Sequence, residues 1–258
     1  TPEYYPTRTE ISILSENAKD IASIIGDDTA LIEYGSGALE KIKILLNSLH
    51  EPAGLIPVDI SEDQLFVSAE NLQKLYPNLE ILPVAADFTK PIPIPEFSHP
   101  PKKRVAFFPG STIGNFAPDL AIQFLDGVNK TIGPNGLLLI GFDLKKDTDT
   151  LLAAYDDKQG ITASFNKNLL SRINNELEGN FNLDTFEHIA RYNKNKGRIE
   201  MHLESKMEQT VSIHNKLFTF LKGETIHTES CYKFTEGSFA ACLLYTSDAA
   251  DEGLGVDL

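Results

Sequence analysis

The chain has 258 residues, 41% hydrophobic and 23% charged, enough to bury a full core and ordinary for a soluble globular protein. A net charge of −14 argues against nucleic acid or an anionic membrane as the main partner, and no apolar run approaches a membrane span or a signal peptide. Two cysteines, Cys231 and Cys242, make no disulfide framework and point to reduced thiols in a cytoplasmic protein; the six histidines show no metal-ligand spacing, so no metal is expected.

ALIEY (30–34) is a short apolar run bounded by a glycine turn, the pattern of a buried parallel strand. LEKIKILLNSLH (39–50) then places Leu39, Ile42, Leu45, Leu46 and Leu49 at helical spacing. GLIPVD (54–59) is a second strand, and Ser61 is a candidate N-cap for a helix running to about Tyr76. LEILPVAAD (79–87) reads as a third strand, followed by a proline-rich loop over 91–101. RVAFFPGS (104–111) is the fourth strand, APDLAIQFLDGVNKTI (117–132) a helix, and GLLLIGFD (136–143) the fifth strand. Strand and helix alternating in this way predict an α/β, doubly wound, Rossmann-like parallel sheet.

After Asp143 the rhythm changes. Residues 148–178 read as helical, and RIEMHLES (198–205) with MEQTVSIHNKLFTFL (207–221) shows the alternation of an antiparallel pair. The expected organisation is a core over 21–150 and an inserted α+β substrate lobe from 1–20 plus 151–235. Residues 236–241 read as the start of a returning helix. The string CLLYTSDAADE, Cys242 to Glu252, matches one reading frame of a transposase-type sequencing adapter, so 242–258 is expected to be non-native and the chain a fragment.

In such a sheet, ligands bind beyond the carboxyl ends of the strands. The first strand runs into Gly35-Ser36-Gly37, the second ends at Asp59, the third at Asp87-Phe88, and the fourth in PGSTIGN (109–115). A carboxylate at Asp59 suits ribose hydroxyls, and a carboxylate beside an aromatic suits adenine. NAD and S-adenosylmethionine share these needs. The dinucleotide fingerprint wants a third glycine where this chain has Glu40, an anion where phosphate would sit, and this favours a cofactor without phosphate. A nicotinamide-dependent oxidoreductase is the disfavoured alternative.

PEYYPTRTE (2–10), EYGSGALEK (33–41), PGSTIGNF (109–116), AYDDKQGITASFNKN (154–168), FNLDTFEH (181–188), RIEM (198–201) and TESCYKF (228–234) occur in this order. Together they resemble the histidine-specific Nα-methyltransferases that form hercynine on the route to ergothioneine. The resemblance runs from Thr1 to about Phe239 and implies S-adenosylmethionine as cofactor and L-histidine as methyl acceptor. It implies cofactor contacts at Gly35, Lys41, Asp59, Asp87 and Phe88. It also implies an amino-acid site at Tyr4, Gly110, Asn115 and Tyr155, with Met201, Glu229, Ser230 and Cys231 around the imidazole. No general base is assigned, and the oligomeric state is left open, a monomer being compatible. The family pattern Glu-x-Ser-x-Lys is altered here, because Cys231 stands where serine is expected and Ser230 lies one residue earlier. A thiol donates far more weakly than a hydroxyl, so the acceptor could instead be another aromatic amino acid, as for fungal relatives. An inactive truncated fragment is the remaining alternative.

Overall fold

The computed structural model describes residues 1–37 and 39–244, so most of the segment set apart as non-native, residues 245–258, lies outside the described residues. The chain divides into two compact units: a core of residues 6–142 with the helix that starts at Glu236, and a lobe of residues 1–5 and 143–235.

The core is a parallel sheet. β1 (Thr29–Tyr34) lies between β2 (Gly54–Asp59) and β5 (Lys103–Phe108), and β6 (Leu137–Ile140) closes the far side against β5. The third expected strand is broken in two, β3 (Glu80–Ile81) and β4 (Val84–Ala85), each pairing with β2. The Leu82-Pro83 step between them explains the break, because proline has no N–H to give to a ladder. Asp87 and Phe88 therefore sit in the turn after the strand rather than at its end. The winding reverses between β1 and β5, so the ends of these two strands mark the switch point of the sheet.

Alternate residues of the strands feed opposite faces. On one face Leu31, Leu55, Val105 and Phe107 pack with Leu14, Ile21 and Ile25 of α1 (Pro6–Ile25) and Ile42, Leu45 and Leu46 of α2 (Glu40–Leu46). Leu72 of α3 (Glu62–Leu75) joins the same cluster. On the other, Tyr34, Phe88, Phe108 and Phe124 of α4 (Pro118–Ile132) form edge-to-face and tilted ring pairs, the closest with centroids 4.5 Å apart. Residues 6–20, expected in the lobe, are thus part of the core: the apolar stripe of α1 has its complement on α2. Ser61 does occupy the N-cap position of α3, but its side chain makes no capping bond. α7 (Glu236–Leu244) returns to the core, where Phe239 stacks on Phe142 at 4.1 Å.

The lobe begins with α5 (Thr148–Tyr155), capped by the Asp147 carboxylate accepting from Thr150 N at 2.8 Å, and α6 (Ile161–Glu176). Its sheet has the order β11-β8-β7, all antiparallel, from β7 (Phe186–Asn193), β8 (Arg198–Ser205) and β11 (Thr225–Tyr232). The expected pairing of 198–205 with 207–221 is not what forms. Residues 207–221 fold on themselves as a hairpin of β9 (Gln209–Ile213) and β10 (Lys216–Phe220), while β8 takes β7 and β11 as neighbours. The cause is local: His214 and Asn215 both adopt positive φ, the conformation of a tight two-residue hairpin turn.

Candidate functional site

At the end of β1 the chain turns through Gly35 and Gly37, both at positive φ. Gly35 N–H and Ser36 N–H donate to Val58 O at 2.9 and 3.2 Å, and Gly37 N–H donates to Asp59 Oδ2 at 3.1 Å. The other Asp59 oxygen takes the Ser61 N–H at 2.9 Å. Strand β2 therefore holds the glycine turn through a carboxylate that is only half-buried. A Cβ on Gly35 would lie 3.7 Å from the Phe88 ring, and one on Gly37 would reach nothing nearer than Gly35 O at 3.9 Å. Gly35, Asp59 and Phe88 are thus brought together.

Asp87 is turned to local work. It accepts from Thr89 Oγ1 at 2.6 Å and Thr89 N at 3.1 Å, and pairs with Lys90 at 2.9 Å. These hydrogen bonds, the Thr89 hydroxyl first, hold its carboxyl at about 2.

The end of β5 contributes Gly110, again at positive φ. Its N–H donates to both oxygens of Glu10, at 2.8 and 2.9 Å, and the Lys41 ammonium pairs with the same carboxylate. An alanine Cβ at Gly141 would stand 1.8 Å from Glu10 Oε1, so the absence of a side chain there makes room for the carboxylate. Sequence reasoning gave no role to Glu10, which lies within the first helix, or to Gly141, which directly follows β6 and carries no side chain to signal one. Glu33, which the sequence places at the end of the first strand without a role, is 2% exposed, and its Oε2 has no hydrogen-bond partner. Burial pushes its carboxyl up to about 8, against a smaller opposing pull from Lys41. Asn115 closes the short 3-10 turn Thr112–Asn115 and is exposed; the N-cap of α4 is Ala117, so Asn115 does not serve there.

In the lobe, Met201 on β8 faces Glu229 on β11, and Ile199 faces Cys231. Met201, Cys231, Tyr155, Leu151 and Ala154 form a buried cluster against which Tyr4 packs, its ring 6.0 Å from Tyr155 and nearly perpendicular. Glu229 is half-buried on the same strand face, and desolvation raises its carboxyl. Ser230, by strand alternation, points to the other face, where its hydroxyl lies 3.0 Å from His227 Nε2. The lobe thus gathers Tyr4, Tyr155, Met201, Glu229 and Cys231 but not Ser230.

Tyr155 is held at both ends. Asn166 Nδ2 reaches His188 Nδ1 at 2.9 Å, which leaves the ring proton on Nε2 to donate to Tyr155 O at 2.8 Å. Its hydroxyl lies 3.0 Å from Cys231 Sγ and receives Lys233 Nζ at 2.9 Å. Lys233 pairs in turn with Asp143, which also accepts from Tyr5 and Lys146, each at 2.6 Å. Asp143 ends the fifth predicted strand, and Tyr155, Cys231 and Lys233 lie in the motifs AYDDKQGITASFNKN and TESCYKF, but nothing along the chain joins them into one network.

A sheet wound both ways from β1, with glycine turns after β1 and β5 and a carboxylate closing β2, defines a Rossmann-like core of the kind that binds an adenosine-containing cofactor. The model of the histidine-specific, S-adenosylmethionine-dependent methyltransferases matches residues 1–247, and the chain belongs to that family. It is 38% identical over 270 residues to the histidine N-alpha-methyltransferase of Mycolicibacterium smegmatis, covering 99% of this chain and 83% of that one. Identity and coverage are the same for the histidine N-alpha-methyltransferase of Mycobacterium tuberculosis. An L-tryptophan methyltransferase of Psilocybe serbica is 27% identical over 90% of this chain and 72% of its own.

The residues present fit S-adenosylmethionine. A Cβ on Gly37 would meet nothing nearer than 3.9 Å, and one on Gly35 only the Phe88 ring at 3.7 Å, so the turn is open to a ligand. Asp59 closes β2 beside it, an unpartnered buried Glu33 oxygen lies on β1, and Lys41 stands on the first turn of α2. Among the described residues no group of His, Cys, Asp and Glu could hold a metal ion, and no helix is long and apolar enough to cross a membrane.

Proposed function

We propose that this protein methylates the α-amino group of L-histidine, up to the trimethylated product hercynine, in the cytoplasm. When bound, S-adenosylmethionine supplies a methyl group already activated on a sulfonium, so the protein's task is to hold and orient. Orientation of this kind contributes about 7–11 kcal/mol to lowering a barrier.

In the core, Asp59 takes the ribose, the Phe88 ring takes the adenine face, and Gly35 and Lys41 take the amino-acid end of the cofactor. Asp87 takes the adenine amine through Oδ2, the oxygen that Thr89 does not use and that pairs with the exposed Lys90. For the acceptor, Asn115 and Tyr155 take the carboxylate and Gly110 lies by the amine. Glu229 accepts the imidazole N–H, with Tyr4, Met201 and Cys231 lining the ring. The attacking amine binds as the neutral form from solution, and anchorage at the carboxylate leaves it free to rotate between methylations.

The observation that carries this reading is Glu229 opposite Met201 on the face shared with Tyr155 and Cys231: a carboxylate in an otherwise apolar and aromatic cluster calls for a ring that donates N–H. Cys231 favours the second reading, another aromatic amino acid as acceptor, because a buried thiol bonded to Tyr155 offers little to an imidazole. Incubation with S-adenosylmethionine and a panel of amino acids, read by mass spectrometry, separates the two. Added methyls on L-histidine in preference to tryptophan, tyrosine and phenylalanine are expected, and preference for one of those three overturns the assignment.

A further inference from the structure

The buried network around Lys233 reaches beyond any role already assigned in the lobe. The Lys233 side chain is wholly buried, a costly state for an ammonium unless each of its donors is used. All three have acceptors: Asp143 Oδ2 at 2.8 Å, the Tyr155 hydroxyl at 2.9 Å and Cys231 Sγ at 3.4 Å. The ammonium also stands 4.7 Å from the centroid of the Tyr155 ring. Asp143 is shared, because Tyr5 and Lys146 donate to it as well, so it is not reserved for neutralising Lys233.

This arrangement fixes the role of the Tyr155 hydroxyl. Lys233 donates into a hydroxyl lone pair, so the phenol can act toward a further partner chiefly as a donor. Burial, with Cys231 and Tyr4 as further causes, pushes the phenol's ionisation far upward, so it keeps its one proton. That proton lies toward Cys231 Sγ at 3.0 Å, and thiol sulfur is a weak acceptor. A carboxylate oxygen is a much stronger one, and a hydroxyl already polarised by an ammonium gives it a stronger bond.

We propose that Lys233 is a positioning residue for the acceptor's carboxylate, fixing the Tyr155 hydroxyl as a donor while Cys231 holds the proton only loosely until the carboxylate arrives. The Lys233 side chain has no exposed surface and acts through Tyr155 rather than by contact. The proposal rests on the reading that Tyr155 binds the acceptor's carboxylate.

The test compares L-histidine with histamine, which has the same ring and amine and no carboxylate. Binding of each to the protein saturated with S-adenosylhomocysteine is measured by calorimetry for the wild type and Lys233→Met. The variant is expected to bind L-histidine about tenfold to a hundredfold more weakly, the range for losing a charge-assisted hydrogen bond, with histamine and S-adenosylhomocysteine unchanged. Equal weakening of both amines means a merely structural role and overturns the proposal. If Lys233→Met does not fold, Lys233→Gln keeps an N–H donor without the charge; it is expected to narrow the histidine–histamine gap about tenfold, and an unchanged gap overturns the proposal. Should the wild type bind L-histidine no more tightly than histamine, it is the assignment of Tyr155 to the carboxylate that fails.

Discussion

Glu33 makes the core's stability depend on pH in a direction opposite to that of most carboxylates. It is 2% exposed on the central strand, and burial outweighs the favourable charge of Lys41, lifting its carboxyl from 4.5 to about 8. In the unfolded chain Glu33 ionises near 4.5, whereas in the fold it keeps its proton until about 8. Between these values the native state binds the extra proton, so this contribution to stability is full below 4.5 and lost as pH rises towards 8. One pKa unit is worth about 1.4 kcal/mol, so the whole window amounts to about 5 kcal/mol and the step from pH 5.5 to 7.5 to about 3 kcal/mol. Glu33→Gln has nearly the same shape and no proton to lose. Urea unfolding at pH 5.5, 6.5, 7.5 and 8.5 should show the stability advantage of the variant growing by about 1.4 kcal/mol per unit up to the third point and then levelling. A constant offset would only report how the amide fits. Parallel curves for wild type and variant across the range would refute the reasoning.

Glu10→Ala and Gly141→Ala remove the same contact from two sides, the first by deleting the carboxylate and the second by placing a Cβ 1.8 Å from it. Each should destabilise the core by about 1–3 kcal/mol, and the double variant by about as much as one alone, in denaturant melts; additive losses would show that the two act separately. Asn115→Ala should raise the KM for the amino acid about tenfold with the KM for S-adenosylmethionine unchanged. Because Asn115 is exposed and caps no helix, the same variant should stay within about 0.5 kcal/mol of wild-type stability. Glu229→Gln should lower the histidine-to-phenylalanine ratio of kcat/KM about tenfold or more in steady-state assays, whereas an unchanged ratio would remove Glu229 from the imidazole's partners.

Much of the core was legible because its information is local. Apolar runs of strand length, helical spacing at Ile42, Leu45 and Leu46, and glycines where the backbone must take positive φ all act within a few residues. The same locality misled where a short signal was overridden. Residues 79–87 have the apolar content of one strand, yet Pro83 divides it. Residues 198–205 and 207–221 both alternate, but alternation names a strand and not its neighbour; the tight turn at His214-Asn215 committed the second stretch to itself. The stripe of α1 likewise says that the helix is buried on one side without saying by what.

By itself the sequence determined the α/β class, the glycine turns with Asp59 beside them, and the ordered motifs of the methyltransferase family, since each is written in neighbouring residues or short spacings. Only the tertiary structure decided the partners of charged side chains far apart in the chain. Glu10 meets Gly110 and Lys41, and Asp143 meets Lys233, because a folded sheet and a folded lobe bring those positions together. A buried charge takes whatever partner the fold supplies, and no pattern along the chain names it in advance.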